Sequence, residues 1–323
     1  MSGIEVVEPG LQTTVQDRGR PGHARLGISA AGAADPLALD LANRLAGNPP
    51  GAAALEMALL GGSFRFDAPA LVALAGADMR AEADGLPFPP FTSRHLPAGS
   101  VVRCGAAVSG ARSYLAVAGG IDTPPFLGSR STHLPSRLGG LEGRALRRGD
   151  RLAIGAPPGA RTADAGPRSL RDRGLVAPAA ALRVTAGAQA DRFDPETRRL
   201  FEGAEFTVSG ASDRMGIRLE GPPLPAPGGG RMASEGMPLG ALQVPPDGQP
   251  ILLFVDHQTT GGYPVIAAVI GADLWRAGQL RPGARVRFEA VAMETARALH
   301  LEQRRRLRSP DLLAGAPAAP GTT

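Results

Sequence analysis

Ile251-Leu252-Leu253-Phe254-Val255-Asp256-His257-Gln258-Thr259-Thr260-Gly261-Gly262-Tyr263-Pro264 decides how the rest of the chain is read. Its five leading apolar residues are too few for a helix of ordinary length and read as a buried strand. The run stops at an acid, an imidazole, an amide and two hydroxyls, groups that a core accepts only when paired. A strand that gives way to a polar turn is where scaffolds commonly place sites. The chain has five histidines and two tyrosines, and this stretch holds one of each.

Short apolar runs broken by turn formers continue outward from this segment in both directions. They recur at 64–66, 71–75, 101–103, 114–118 and 151–154, and again at 182–185, 205–209, 265–270 and 285–288. The 323 residues include 44 glycines and 31 prolines, roughly twice the usual share, spread without a period. That pattern predicts many short strands joined by tight turns. Three helices interrupt them. Asp35 caps the first, Pro36 suits its opening position, Leu37, Leu41 and Leu45 form its stripe, and Gly47 ends it. Asp194 and Pro195 open a second that stops near Gly203, and a third runs from Met293 to Arg308.

The fold class is therefore mainly β with short helices, without the regular strand–helix alternation of doubly wound or barrel α/β folds. The length points to two domains. Residues 1–155 are expected to form the first and 182–308 the second. The Gly/Pro/Ala/Arg-rich interval 156–181 reads as a linker, and 309–323 as a disordered tail.

Composition removes several function classes. All 35 basic residues are arginine, so a Schiff-base lysine, a phosphate-loop lysine and a lysine-attached biotin are excluded. The net charge is +5, yet aromatics make up 4% and the arginines are interleaved with acids except at Arg304, Arg305, Arg306 and Arg308. Nucleic acid is not an expected partner. No signal peptide or 18-residue apolar run occurs, which predicts a cytoplasmic protein without membrane spans. The single cysteine, Cys104, lies in a strand-like run and reads as a small buried apolar residue. The histidines at 23, 95, 133, 257 and 300 lack metal-ligand spacing, so no metal site is expected.

Two readings stand for the strand end at 256–264. In one, Asp256 caps a turn, His257 is a structural histidine, and Gly261 and Gly262 supply positive φ. In the other, His257 moves protons with Asp256, while Gln258, Thr259 and Thr260 bind a planar amide or ureido group. Arg214 flanks Met215 and Gly216, where backbone can approach a ligand, and its planar fork suits a carboxylate or phosphate. The alternative is a surface arginine pair with Glu220. The loop Asp17-Arg18-Gly19-Arg20-Pro21-Gly22-His23 is either structural or ligand-binding. Asn43 and Glu56 read as internally bonded scaffold residues, and Tyr114 and Tyr263 each as either a substrate-positioning residue or one with a single wet edge.

Several segments resemble the KipA/allophanate-hydrolase-subunit-2 family. They include Thr14-Val-Gln-Asp17-Arg18-Gly19, Gly32-Ala-Ala-Asp35, Ala42-Asn43, Leu55-Glu56, Tyr114-Leu-Ala-Val-Ala-Gly-Gly-Ile121 and Gly128-Ser-Arg-Ser-Thr132. Ser212-Asp-Arg214-Met-Gly216, Ser234-Glu235-Gly236, Gly240-Ala-Leu-Gln243 and the segment 256–264 continue the match, which covers nearly the whole chain. The resemblance implies two tandem cyclophilin-like β-barrel domains. It also implies a role as the C-type subunit of an ATP-dependent 5-oxoprolinase that opens 5-oxo-L-proline to L-glutamate. The partners implied are a B-type subunit (the KipI or subunit-1 type) and an A-type subunit, with Mg-bound ATP shared with a partner. Under it, Arg214, Asp256 and His257 would be catalytic, and Gln243, Met215, Gly216 and 258–263 would bind substrate. Two other activities occur among such proteins: a carboxyltransferase acting on urea or a related amide with an external biotin carrier, and a regulator that sequesters a KipI-like kinase inhibitor.

Overall fold

The structure is a computed structural model that describes residues 3–156, 166–179 and 181–315. Its regular structure is mainly β, with few and short helices. Two compact units share the chain. Unit 1 is Met1–Arg20, Asp35–Leu175 and Leu307–Thr323; unit 2 is Pro21–Ala34 and Val176–Arg306. Neither unit is one continuous stretch, because 21–34 belongs with the second and 307 onward with the first.

Unit 1 holds a six-stranded sheet and a seven-stranded sheet. Apolar residues recur every second position in Gly3–Glu8 and Ser63–Phe66, so Ile4, Val6, Phe64 and Phe66 point into one core. Val72, Leu74, Leu115 and Val117 of the seven-stranded sheet meet them there. The helix Pro36–Leu45 packs on the strands Ala70–Asp78 and Ser109–Val117. Asp35 Oδ1 accepts from Ala38 N at 2.8 Å, and Pro36 supplies a φ already fixed for helix. The expected leucine stripe is buried, and so are Leu39, Asp40 and Asn43 on other faces. Cys104 is buried against Gly61, whose Cβ would come within 2.3 Å of the Cys104 Cβ, and burial pushes its thiol up to about 12.

The interval expected as a linker carries structure. Arg168–Leu170 pairs with Leu313–Gly315, which the sequence places in a disordered tail, and with the strand Thr92–Leu96. Leu312 is 2% exposed. These three-residue strands have no alternation of their own and exist because partners far along the chain satisfy their backbone groups. The rest of the expected linker at 157–165 and 180, and the tail at 316–323, lies outside the described residues.

Unit 2 is built on an eight-stranded sheet. Its edge strands, Arg285–Val286 and Phe288–Ala290, are consecutive in the chain, so the sheet nearly closes on itself as a barrel. Phe206 beside one edge and Phe288 on the other lie 6.0 Å apart by ring centroid. Phe201, from the helix Pro195–Gly203, stacks on Phe288 at 4.8 Å and fixes that closure from outside the sheet. That helix starts as its sequence predicts, with Asp194 Oδ1 accepting from Thr197 N. The helix Met293–Arg308 buries only Ala296 fully, against Ile270 and Ala272.

Candidate functional site

The strand expected at 251–255 ends early, at Leu253. Leu252 faces the barrel core, whereas Ile251 and Leu253 join Met237, Ala241 and Val265 in a smaller apolar cluster. Beyond Leu253 the backbone leaves the ladder: Phe254 N donates to Met215 O and Asp256 N to Arg214 O. The turn is closed by His257 N donating to Phe254 O at 2.9 Å. Arg214 and Asp256 therefore sit side by side, joined by backbone and side chain.

Arg214 Nε donates to Asp256 Oδ2 at 2.8 Å, and its Nη2 reaches Asp256 Oδ1 at 3.1 Å and the Gly32 carbonyl at 2.7 Å. The side chains are 6% and 0% exposed. The fork that the sequence reading offered to a substrate anion, or to Glu220 at the surface, is engaged by a carboxylate of the same unit. This pair holds 32, 214 and 256 together. Desolvating both charges makes their mutual bonding obligatory.

His257 stands outside that pair and is half-buried. Its Nδ1 lies 2.7 Å from the Gln258 carbonyl oxygen, a distance that requires the proton on Nδ1. Nε2 then carries the lone pair, and it has no hydrogen-bond partner among the described residues. Burial lowers the pKa of the ring; the Gln258 carbonyl and the Asp256 charge oppose this less strongly. The imidazole is thus a neutral base at neutral pH, aimed by its own backbone. The side chains of Gln258, Thr259 and Thr260 have no partner among the described residues and remain available for a ligand.

The segment's second half turns to a different neighbour. Thr260–Gly261 pairs antiparallel with Glu235–Gly236. Met237 N donates to Thr259 O, and Met232 N to Gly262 O. A Cβ on Gly261 would lie 2.6 Å from Gln243 Nε2, and one on Gly262 would lie 3.0 Å from Met232 O. Both glycines are there for close approach and not for positive φ, since neither has it. Gln243 is buried and donates to Met237 Sδ and to the Tyr263 carbonyl, so it supports the segment from behind. Tyr263 is exposed, as is Met215, while Gly216 pairs with Leu253 in the barrel.

Where the segment ends, at Pro264, a cavity of about 470 Å³ opens. It is lined by Arg192, 227–228, 231–235 and Pro264, all within unit 2. The Glu235 carboxylate on its wall is held by Gln189, whose Nε2 donates to Glu235 Oε1 at 2.8 Å. Gln189 is buried, and its own Oε1 accepts from Val265 N at 3.0 Å. The guanidinium groups of Arg192 and Arg231 have no partner among the described residues. Sequence reasoning missed Arg192, Arg231 and Gln189. The available signal was the three-glycine run 228–230, whose residues all have positive φ and bend the chain around the cavity mouth.

The remaining candidates are structural. Asp17 is bonded on both oxygens, by the hydroxyls of Ser129 and Ser131 and the backbone N–H groups of Gly19 and Arg130. Arg18 pairs with Asp40 of its own unit at 2.6 Å. Tyr114 presents no wet edge: it is fully buried, donates to Glu56 Oε2 at 2.5 Å, and accepts from Asp35 N. Burial, then the Glu56 charge, push its hydroxyl well above the usual tyrosine range. Asn43 donates to the Ala52 carbonyl and accepts from Asn48, as a scaffold residue does.

Residues 26–290 match the model of a family described as carboxyltransferase domain, subdomain A and B. The chain is 39% identical over 304 residues to the C-type subunit of 5-oxoprolinase from Escherichia coli (strain K12), spanning 94% of this chain and 96% of that protein. It is 32% identical over 329 residues to the urea amidolyase of Saccharomyces cerevisiae, covering 96% of this chain but 18% of that much longer one. Among solved structures, the K. lactis urea amidolyase superposes with a TM-score of 0.86 at 29% identity, over 98% of this chain and 21% of that one. Among the described residues no helix is long and apolar enough to cross a membrane.

Proposed function

Because the chain belongs to the carboxyltransferase domain family, subdomains A and B, we propose that it works as the C-type subunit of an ATP-dependent 5-oxoprolinase. The observation that carries this reading is the 39% identity to a protein of that name along nearly the full length of both chains. The reaction would open the lactam of 5-oxo-L-proline to L-glutamate in an assembly with a B-type subunit of the KipI kind and an A-type subunit. The paired units would be cyclophilin-like barrels, a reading supported by the near closure of the eight-stranded sheet.

In this assignment His257 is the proton carrier. Opening a lactam requires a proton to leave the attacking water and another to reach the ring nitrogen. A neutral imidazole with Nε2 unbonded and Nδ1 anchored can take the first and return it as the second. Gln258, Thr259 and Thr260 would bond the amide. Arg214 and Asp256 act through position: their pair fixes the turn from which His257 projects. The described residues contain no group of three acidic, histidine or cysteine side chains fit to hold a metal ion, and the chain has no lysine. A Mg-bound ATP would be shared with a partner subunit in the assembly.

The test is to purify the chain with its cognate B-type and A-type partners and measure 5-oxoproline-dependent ADP release. Absence of turnover in the full complex would overturn the reading. The likeness to urea amidolyase favours a second one, carboxyl transfer to urea or a related amide. A lysine-free chain cannot carry biotin, so that activity requires a separate biotinylated carrier. Urea-dependent loss of carboxyl from such a carrier would identify it. A regulator of the KipA type would bind its B-type partner and show neither activity.

A further inference from the structure

We propose that the cavity at 227–235 is a docking site for a small cyclic acid, held by its carboxylate on Arg192 and Arg231 and by a neighbouring N–H on Glu235. This deepens the oxoprolinase reading and rests on it for the identity of the acid.

The charges in the cavity carry the inference. Several other arginines of unit 2 are engaged by carboxylates: Arg183 and Arg276 on Asp273, Arg214 on Asp256, and Arg285 and Arg287 on Glu205. Arg192 and Arg231 line one cavity of about 470 Å³, and neither guanidinium has a partner among the described residues. Two unengaged guanidinium groups on one concave surface are suited to a planar anion, which each can meet with parallel N–H donors.

Glu235 differs from them in being fixed. Its Oε1 is occupied by Gln189, itself locked to Val265 N, which leaves Oε2 as an acceptor without a partner among the described residues. An unengaged carboxylate oxygen beside two cations selects against a simple dianion and in favour of an acid that also brings a hydrogen-bond donor. The walls between them, Pro227, Met232, Ala233 and Pro264, offer apolar contact to ring methylenes. In 5-oxo-L-proline the carboxylate and the N–H are attached to the same ring carbon, so one orientation satisfies both ends. Gln189 is then a positioning residue, acting through Glu235.

Three probes separate these contributions when titrated calorimetrically into the full chain and into its complex with the B-type partner. They are 5-oxo-L-proline, pyrrolidin-2-one, which lacks the carboxylate, and the lactone analogue that lacks the N–H. Each loss of a charge-assisted bond is expected to weaken binding by about tenfold or more. Arg192→Ala and Arg231→Ala should weaken 5-oxo-L-proline on that scale and leave pyrrolidin-2-one unchanged. Glu235→Ala should weaken the lactam acid and spare the lactone. Arg192→Lys and Arg231→Lys should restore part of the loss, and both positions are exposed, so folding is not at stake. If the assembled enzyme turns over and these variants bind and react as the parent does, the docking site is wrong and the oxoprolinase reading stands. If the chain binds the acid with this arginine dependence but the complex never turns it over, the site stands and the reaction is wrong. Failure of the acid to bind any form of the protein overturns the site.

Discussion

Arg214 and Asp256 read in sequence as two separate reactive groups, and in space they are buried and bonded to each other. Each is polar, within two residues of a glycine or histidine, and in a segment too polar for a core. Only the fold brings positions 214 and 256 together, and nothing in either local sequence records that. Removing one partner leaves a buried charge unpaired, so Arg214→Ala is expected to cost about 3–5 kcal/mol in urea unfolding. Arg214→Met combined with Asp256→Leu should cost less than Arg214→Ala alone, because both charges are then gone. A double variant that loses more would show that Arg214 matters for something other than Asp256. His257 is singled out in sequence by its type and its place at a strand end, and the structure adds the tautomer. Folding lowers its pKa, so the neutral base persists below the ordinary histidine value of 6.5. The acid limb of kcat/KM in the assembled enzyme should therefore fall below pH 6.5 and disappear in His257→Gln. A limb that survives the substitution would remove His257 from the chemistry.

Elements that announce themselves by local chemistry were read well. Asp35 with Pro36 and Asp194 with Pro195 start helices because a side-chain acceptor and a preset φ act within one turn. Replacing the buried Asp35 by Ala is expected to lower stability by about 1 kcal/mol, readable as a drop in thermal midpoint. Elements that depend on distant partners were not legible. Arg168–Leu170 and Leu313–Gly315 pair with each other, yet each sits in a Gly/Pro/Ala-rich stretch with no alternation to read. The cavity mouth is a third case. Gly228 and Gly230 both have positive φ, but a Cβ meets nothing at Gly228 and would lie 2.6 Å from Pro246 N at Gly230. Ala at either site incurs the left-handed strain of about 1–2 kcal/mol. Only Gly230→Ala adds a backbone clash and should melt clearly lower than Gly228→Ala. Equal melting points would mean that the loop around Pro246 yields.

At the scale of the molecule, the chain divides into two compact units, and neither is one continuous stretch. Composition shifts between the halves, and it does not reveal that 21–34 belongs with the second unit or 307 onward with the first. Ending the chain after Arg308 tests the latter assignment. It removes Leu312, whose burial is worth about 2 kcal/mol, and the strand that covers Arg168–Leu170. It also removes the Ser309 carbonyl, which accepts from Arg44 at 3.1 Å. The shortened protein is expected to unfold at lower urea, with faster amide exchange at 168–170. Unchanged exchange there would show that the terminal strand contributes nothing.

The discontinuous units also set an order of events during synthesis. A ribosome delivers residues from the N-terminus, and an N-terminal domain ordinarily folds while the rest is being made. Here the first unit lacks its last strand until Gly315 has cleared the exit tunnel. The segment 21–34 has no core to join until the strands after Val176 follow it. The seven-stranded sheet therefore waits for its edge strand while the whole eight-stranded sheet is made, and Leu313–Gly315 completes the unit that was begun first.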